Sequence, residues 1–330
     1  MSKTYQVVGI GNAVSDVISQ ASDTFLDHMG IEKGIMQLVE RDRAEVLYAA
    51  MEGRVETPGG SVANTLAGLG VLGAKTAFIG RVAEDALGRK YASTLAHEGT
   101  AFPNPPVPAA ELPTSRSMIF VSPDGERSMN TYLGISSEVG AADVPLDVAG
   151  DCDVLFLEGY LFDKDPGKEA FRTAADAAVA SGAQAGISLS DPFCVDRHRA
   201  DFRALIRDNL SFVIGNEAEL LSLYEVSDVD AALDAAAAEC GLVVCTRSGD
   251  GVAIRQGATR VDVPVQTVIP VDATGAGDQF AAGFIYGMIT GAGLEKSGQM
   301  GCAAAAEVIS HIGPRPEVDL KALFAEQGLL

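Results

Sequence analysis

The sequence of 330 residues contains no tryptophan, and its four histidines (His28, His97, His198 and His311) are scattered with neither metal-ligand nor catalytic-triad spacing. Its five cysteines (Cys152, Cys194, Cys240, Cys245 and Cys302) are odd in number and form no C-x-x-C pair. That argues against a disulfide framework and a zinc site and predicts reduced, mostly buried thiols. Runs of lysine or arginine are missing too. With 24 basic against 45 acidic residues the formal charge is −21, so nucleic acid and anionic membrane surfaces are not expected as partners. A small anion such as ATP is still admissible, because local amides, a metal ion and a few arginines set the field inside a cleft. No apolar run is long enough to span a bilayer, and the opening MSKTYQVVGIGN has no signal core, which points to a cytoplasmic location.

Two nucleotide-binding signatures are also missing. There is no G-x-x-x-x-G-K-[ST] loop. GLGVLG (68–73) has the G-x-G-x-x-G spacing, but it ends a helical pattern and precedes a strand, the reverse of the dinucleotide-binding order. GIGNAV does follow a strand, yet it has Val14 where the third glycine belongs.

What is present is a 47% apolar chain with regular alternation. Apolar runs at 5–10, 75–80, 153–159, 185–190, 211–215 and 242–246 read as strands, separated by helical segments such as 170–181 and 231–239. Nearly continuous apolar strands imply burial on both faces, hence an α/β, doubly wound, mainly parallel sheet. Two regions break the rhythm. The segments at about 14–40 and 114–134, the second with a PDGE turn between β-like runs, are expected to form a small β lid on a single 1–330 domain. GDGVAIRQGATRVDVPV is expected to add antiparallel strands turned at Gln256 and Gly257.

The stretch VDATGAGDQFAAGF (271–284) puts glycines ahead of a helix whose apolar residues recur at three- and four-residue steps. First-turn N–H groups lack internal partners and carry the positive end of the dipole, so the loop at Gly275, Ala276 and Gly277 suits a phosphate. Asp278 beside it suits a general base for an attacking hydroxyl; equally, an acid there can simply complement its own helix dipole.

Four further stretches bear on ligands. TPGGSVAN sets Gly59 and Gly60 before Ser61, a candidate N-cap of a helix starting near Ala63, with Asn64 one turn in, able to meet a ligand hydroxyl or merely to cap or pack. In GIGNAVSDVI, strand alternation would aim Asn12, Val14 and Asp16 to one side, where an ionised aspartate can clamp two hydroxyls. Asn216 and Glu219 in IGNEAELL share a face and offer oxygen ligands for Mg²⁺, although N-x-x-E is also the spacing of a capping box. Thr246, Arg247, Gly249 and Gly251 in CTRSGDGVAI follow a strand end, the ligand edge of an α/β sheet, or else form a hairpin turn.

In this order the stretches resemble the ribokinase and adenosine kinase family, the PfkB-type kinases, along essentially the whole chain. DATGAGD matches the family's D-T-x-G-A-G-D apart from Ala273, and GGSVANTLAGLGVLGAKTAFIGRVAEDALG matches its glycine signature. The resemblance implies a ribokinase-like fold and Asp278 as general base. It assigns residues 275–277 to an anion hole and Asn216 and Glu219 to organising Mg²⁺. It gives Asp16, Gly60 and Asn64 to the acceptor's hydroxyls, Thr246, Gly249 and Gly251 to ATP, and Arg127 in GERSM to the transferred phosphate. It leaves room for a monovalent cation, and for a monomer or a lid-mediated homodimer.

For the acceptor, GIGNAVSDVI resembles the adenosine kinase pattern, and LSLSDPFCVDRHR has Phe193 where sugar kinases of the family carry asparagine. An aromatic face there can stack on a purine, or be core. Adenosine phosphorylation to AMP is the expectation, with a sugar kinase or a non-catalytic nucleoside-binding sensor as alternatives.

Overall fold

A computed structural model describes residues 3–330. Its larger sheet has nine strands, in the spatial order Thr259–Val263, Val252–Gln256, Leu242–Thr246, Phe212–Asn216, Gln184–Ser188, Cys152–Glu158, Tyr5–Ile10, Thr76–Ile79 and Thr100–Ala101. All neighbours pair in parallel except at Val252–Gln256, which is antiparallel to both Thr259–Val263 and Leu242–Thr246. The central strands are largely apolar because successive side chains enter different cores, whereas the edge strand Thr259–Val263 is mostly polar and exposed. Val8, Ile10, Leu155 and Leu157 face one cluster, whereas Val7, Val154 and Phe156 face the other. Helices Asp165–Ala180 and Pro192–Asn209 cover the first face; helices Ser61–Val71, Ala276–Thr290 and Leu294–Val308 cover the second. This is the doubly wound α/β architecture expected from the alternation.

The wiring creates a crevice. From Tyr5–Ile10 the chain proceeds to one neighbour, Thr76–Ile79, and only later returns to the other, Cys152–Glu158. Connections leave these two adjacent parallel strands in opposite directions, and ligands bind at the carboxyl edge of such a switch point.

A second, five-stranded sheet stands over that edge in the order Met36–Leu38, Arg127–Tyr132, Ser115–Val121, Val14–Gln20, Val55–Gly59. Val17, Met118, Phe120 and Tyr132 bury one face against helices Asp23–Met29 and Arg41–Ala50. The alternation places Asp16, Ser117, Ile119 and Arg127 on the opposite face. Strand Val55–Gly59 was not anticipated: its T-P-G-G end reads as a turn, and it exists because Val14–Gln20 offers it an edge to pair with. The terminal hairpin also turns one residue later than expected, at Gly257 and Ala258, since Gln256 still pairs with Thr259. Gly257 has φ +55°, which suits a two-residue turn. The five cysteines are all free and buried.

Candidate active site

Helix Ala276–Thr290 opens at Gly275, whose φ of +81° lies in the left-handed region. A Cβ there would also come within 2.6 Å of Pro314, so only glycine fits. At Gly277 an added Cβ would meet nothing within 4 Å, which leaves that side of the turn open. Of the three residues expected to supply amides, Ala276 already donates to the Ala273 carbonyl (3.2 Å). The first turn otherwise has no intrahelical carbonyl to bond.

Asp278 follows in that turn, half-buried. Its Oδ1 accepts from Ser61 Oγ at 2.6 Å and its Oδ2 from Asn64 Nδ2 at 3.1 Å. Burial raises its pKa to about 6, against the lowering effect of those two hydrogen bonds. Ser61 is not the N-cap proposed for its helix. The cap is Gly60 (φ +103°), with no side-chain cap bond, and Ser61 occupies the first helical position so that its hydroxyl reaches Asp278. Two helix N-termini thus converge on one carboxylate.

Asp16 lies beside them, under the second sheet. A Cβ on Gly59 would come within 2.5 Å of its carboxyl group, so the glycine is a close-approach residue. Burial raises Asp16 to about 6; the charges of Arg127 and Arg315 pull it down and that of Asp278 pushes it up. Val14, at the start of the same strand, is buried at the mouth of the crevice.

Asn12 departs from expectation. It precedes the strand rather than sharing its alternation, and its amide is already committed: Nδ2 donates to Glu158 Oε1 (2.9 Å), and Oδ1 accepts from Ser136 Oγ (2.9 Å). Glu158 is a site residue that the sequence reading passed over. It ends strand Cys152–Glu158 at the switch point, 1% exposed, and also accepts the Asn12 and Val62 amides at 3.1 and 3.0 Å. Burial lifts its pKa to about 7 despite those bonds, and Asp278 adds to the rise. The available signal was an acid closing the apolar run VLFL at the carboxyl end of its strand. Tyr160 was missed as well. Its phenol is pushed up by burial and then by Asp191, Glu158, Asp278 and Glu219, which sets it among four acids at the sheet's carboxyl edge.

Arg127 reaches down from the second sheet to Asp272, Nη1 to Oδ2 at 2.6 Å, with both side chains buried. Asp272 also accepts from the Thr274 amide, the Thr274 hydroxyl and the Gly313 amide. Burial pushes its pKa up, but these bonds and Arg127 outweigh that and hold it below the usual range. The Nε and Nη2 of Arg127 are buried without a partner. A buried guanidinium with two free donor nitrogens beside the glycine-opened helix start has the chemistry to take an anion.

The signature of the pfkB family carbohydrate kinases matches residues 34–320. The chain belongs to that family. As such it is an ATP-dependent kinase of the sugar and nucleoside class. It is similar to the adenosine kinase of Sinorhizobium meliloti, 45% identical with a TM-score of 0.88 over 98% of this chain and 99% of that one. It is also similar to a probable sugar kinase of Rhizobium etli CFN 42, 43% identical with a TM-score of 0.90 over 99% and 100% of the two chains. An uncharacterized sugar kinase of Archaeoglobus fulgidus is 28% identical over 249 residues, 75% of this chain and 96% of that protein. Among the described residues of this pfkB-family kinase, no helix is long and apolar enough to cross a membrane.

The remaining candidates lie farther along the same edge of the sheet. Thr246 ends its strand, and Arg247 pairs with Glu217 at 3.3 Å. Gly249 lies in a short 3-10 turn, open on its Cβ side, while Gly251 has φ +89° and sits against the Val263 carbonyl. Phe193 is not core: it is 74% exposed, in the first turn of helix Pro192–Asn209, beyond the carboxyl end of strand Gln184–Ser188. Asn216 and Glu219 form a complete capping box. Glu219 Oε2 accepts the Asn216 amide (2.8 Å), Oε1 accepts Asn216 Nδ2 (2.7 Å), and Asn216 Oδ1 accepts the Glu219 amide (2.9 Å). Burial raises Glu219 to about 7; the Asn216 bond lowers it and Asp191 raises it.

Proposed function

We propose that this kinase transfers the γ-phosphate of ATP to the 5′-hydroxyl of adenosine, giving AMP. The observation that carries the reaction type is the convergence of two helix starts on Asp278. A carboxylate with a raised pKa lies within one turn of Gly277, whose open side leaves room for a phosphate.

With an acceptor bound between the two sheets, Asp16 accepts its ring hydroxyls, beside Gly59, Gly60 and Asn64. The reactive hydroxyl points at Asp278. Ser61 and Asn64 occupy two of about four lone-pair positions on that carboxylate, so it can still accept the hydroxyl's proton. As the oxygen attacks phosphorus in line, charge on the transferring group is met by the amides of Gly275 and Gly277 and by the free donors of Arg127, which are already placed and desolvated. Thr246, Arg247, Gly249 and Gly251 line the nucleotide side. The second sheet excludes water from the reacting atoms.

Mg²⁺ fits here only in a particular way. Both Glu219 oxygens and the Asn216 oxygen are already accepting hydrogen bonds, and no cluster of three metal-binding side chains occurs among the described residues. The pair would hold the ion through water, consistent with the reluctance of Mg²⁺ to dehydrate. The bound ion would neutralise charge on the phosphates.

Adenosine is favoured as acceptor by the likeness to the S. meliloti adenosine kinase and by the exposed ring of Phe193, which is free to stack. The near-equal likeness to the R. etli sugar kinase supports a second reading with a sugar as acceptor. Phosphate transfer from ATP is to be measured across adenosine, inosine, guanosine, ribose and fructose. Highest kcat/KM with adenosine is expected; a sugar in first place transfers the mechanism to the second reading, and no transfer to any acceptor rejects it.

A further inference from the structure

Arg315 lies in the loop after helix Leu294–Val308, more than two hundred residues from the side chains it touches. Its guanidinium is divided three ways. Nε donates to Asn64 Oδ1 (3.4 Å), Nη2 donates to the Pro58 carbonyl (2.7 Å), and Nη1 pairs with Glu98. Asn64 is the residue whose Nδ2 donates to Asp278, and Pro58 belongs to strand Val55–Gly59 of the second sheet.

An amide between a cation and an anion has one favourable orientation: oxygen to the guanidinium, NH₂ to the carboxylate. Rotated by half a turn, Asn64 would set like against like at both ends. Gln279 keeps the arrangement in place from below, its Nε2 donating to both the Asn64 and the Pro314 carbonyls at 3.0 and 2.9 Å. The loop bearing Arg315 is thereby fastened to the turn of helix bearing Asn64.

We propose that Arg315 is a positioning residue for phosphate transfer: it locks the Asn64 amide against Asp278 and ties that lock to the lid strand beside the acceptor. The planar fork is needed for this, because one guanidinium reaches a side-chain oxygen and a strand carbonyl in fixed directions, and an ammonium does not. Arg315 touches no reacting atom. It acts through Asn64, and its charge also favours ionised Asp16.

This inference rests on Asp278 as the base, whatever the acceptor, so every assay uses the acceptor that the unmodified protein phosphorylates fastest. If the unmodified protein phosphorylates none, the function reading fails before any variant is compared. Arg315→Met keeps the aliphatic stem and is expected to lower kcat by up to about a hundredfold, the scale of a small misplacement at the reacting centre. In an Asn64→Ala background the same change should cost less than about threefold, because the residue it acts through is gone. Arg315→Lys should restore part of kcat. Glu98→Gln, which frees only the outer end of the guanidinium, should leave kcat in place. If Arg315→Met does not fold, Arg315→Lys is carried through the same cycle. Equal losses in both backgrounds, or a Glu98→Gln variant as slow as Arg315→Met, would make Arg315 a simple strut and overturn the proposal.

Discussion

Arg127 Nη1 stands 2.6 Å from Asp272 Oδ2, with the two side chains 6% and 9% exposed, and the pair joins the second sheet to the loop ahead of helix Ala276–Thr290. The two ends of this ion pair are not equivalent. Asp272 retains three other hydrogen bonds if Arg127 is lost, whereas Arg127 has no other side-chain partner if Asp272 is lost. Asp272→Ala should therefore destabilise the protein by about 3–5 kcal/mol, and Arg127→Met by clearly less, as read from urea unfolding. Arg127→Met should instead reduce kcat by about 10²–10³-fold, the scale of a lost charge-stabilising donor. A kcat for Arg127→Met close to that of the parent would remove Arg127 from the reaction.

Asp278→Asn should bind ATP and acceptor with constants near those of the parent and transfer phosphate about 10²–10⁴-fold more slowly. Calorimetric binding and single-turnover transfer, measured on the same preparation, separate the two effects. Near-normal turnover would reject the assignment of the base.

The pH profile has a definite sign. Asp16 and Asp278, each raised to about 6 chiefly by burial, must both be ionised to hold and to deprotonate the acceptor. Below about pH 6, log kcat/KM should fall with a slope approaching two, the pair titrating as coupled groups. Stability should run the other way. Asp16, Glu158, Glu219 and Asp278 have folded-state pKa values of about 6 to 7, above their unfolded values near 4, so between these limits the folded chain binds more protons. The melting temperature of the free protein should rise as pH is lowered from 8 towards 5, while activity declines. A melting temperature that falls steadily over that interval would contradict the buried-acid assignment.

Phe193→Ala should raise KM for adenosine more than KM for ATP. At 74% exposure the ring contributes little to folding, so stability should change by no more than about 0.5 kcal/mol. Unchanged adenosine constants would count against stacking at this position.

Much of the architecture was legible because it rests on local patterns. The six apolar runs became strands within a residue or two, since burial on both faces leaves no room for polar alternation. Strand Val55–Gly59 was not legible, because a short edge strand ending in P-G-G is made by its neighbour rather than by its own residues. Within the site, Asp278, Asn64, Asp16 and the glycines stood out by composition and position. Glu158 and Tyr160 did not, since an acid at the end of a strand and a phenol in the turn that follows have no motif around them. Arg315 had no local signal at all: its partners Asn64, Pro58 and Glu98 are at least 217 positions away.

The sequence by itself determined where the backbone must turn sharply and where helices must begin, because glycine at 60 and 275 and the periodicity that follows each act within a few residues. Tertiary structure alone decided what the side chains there would meet. Ser61 turned from capping its helix to holding Asp278, Asn12 was taken up by Glu158, and Arg127 found Asp272, all because two sheets and two helix starts close on one crevice. Hydrogen-bond partners are chosen by proximity in space, and these three pairs lie 145 to 217 residues apart along the chain.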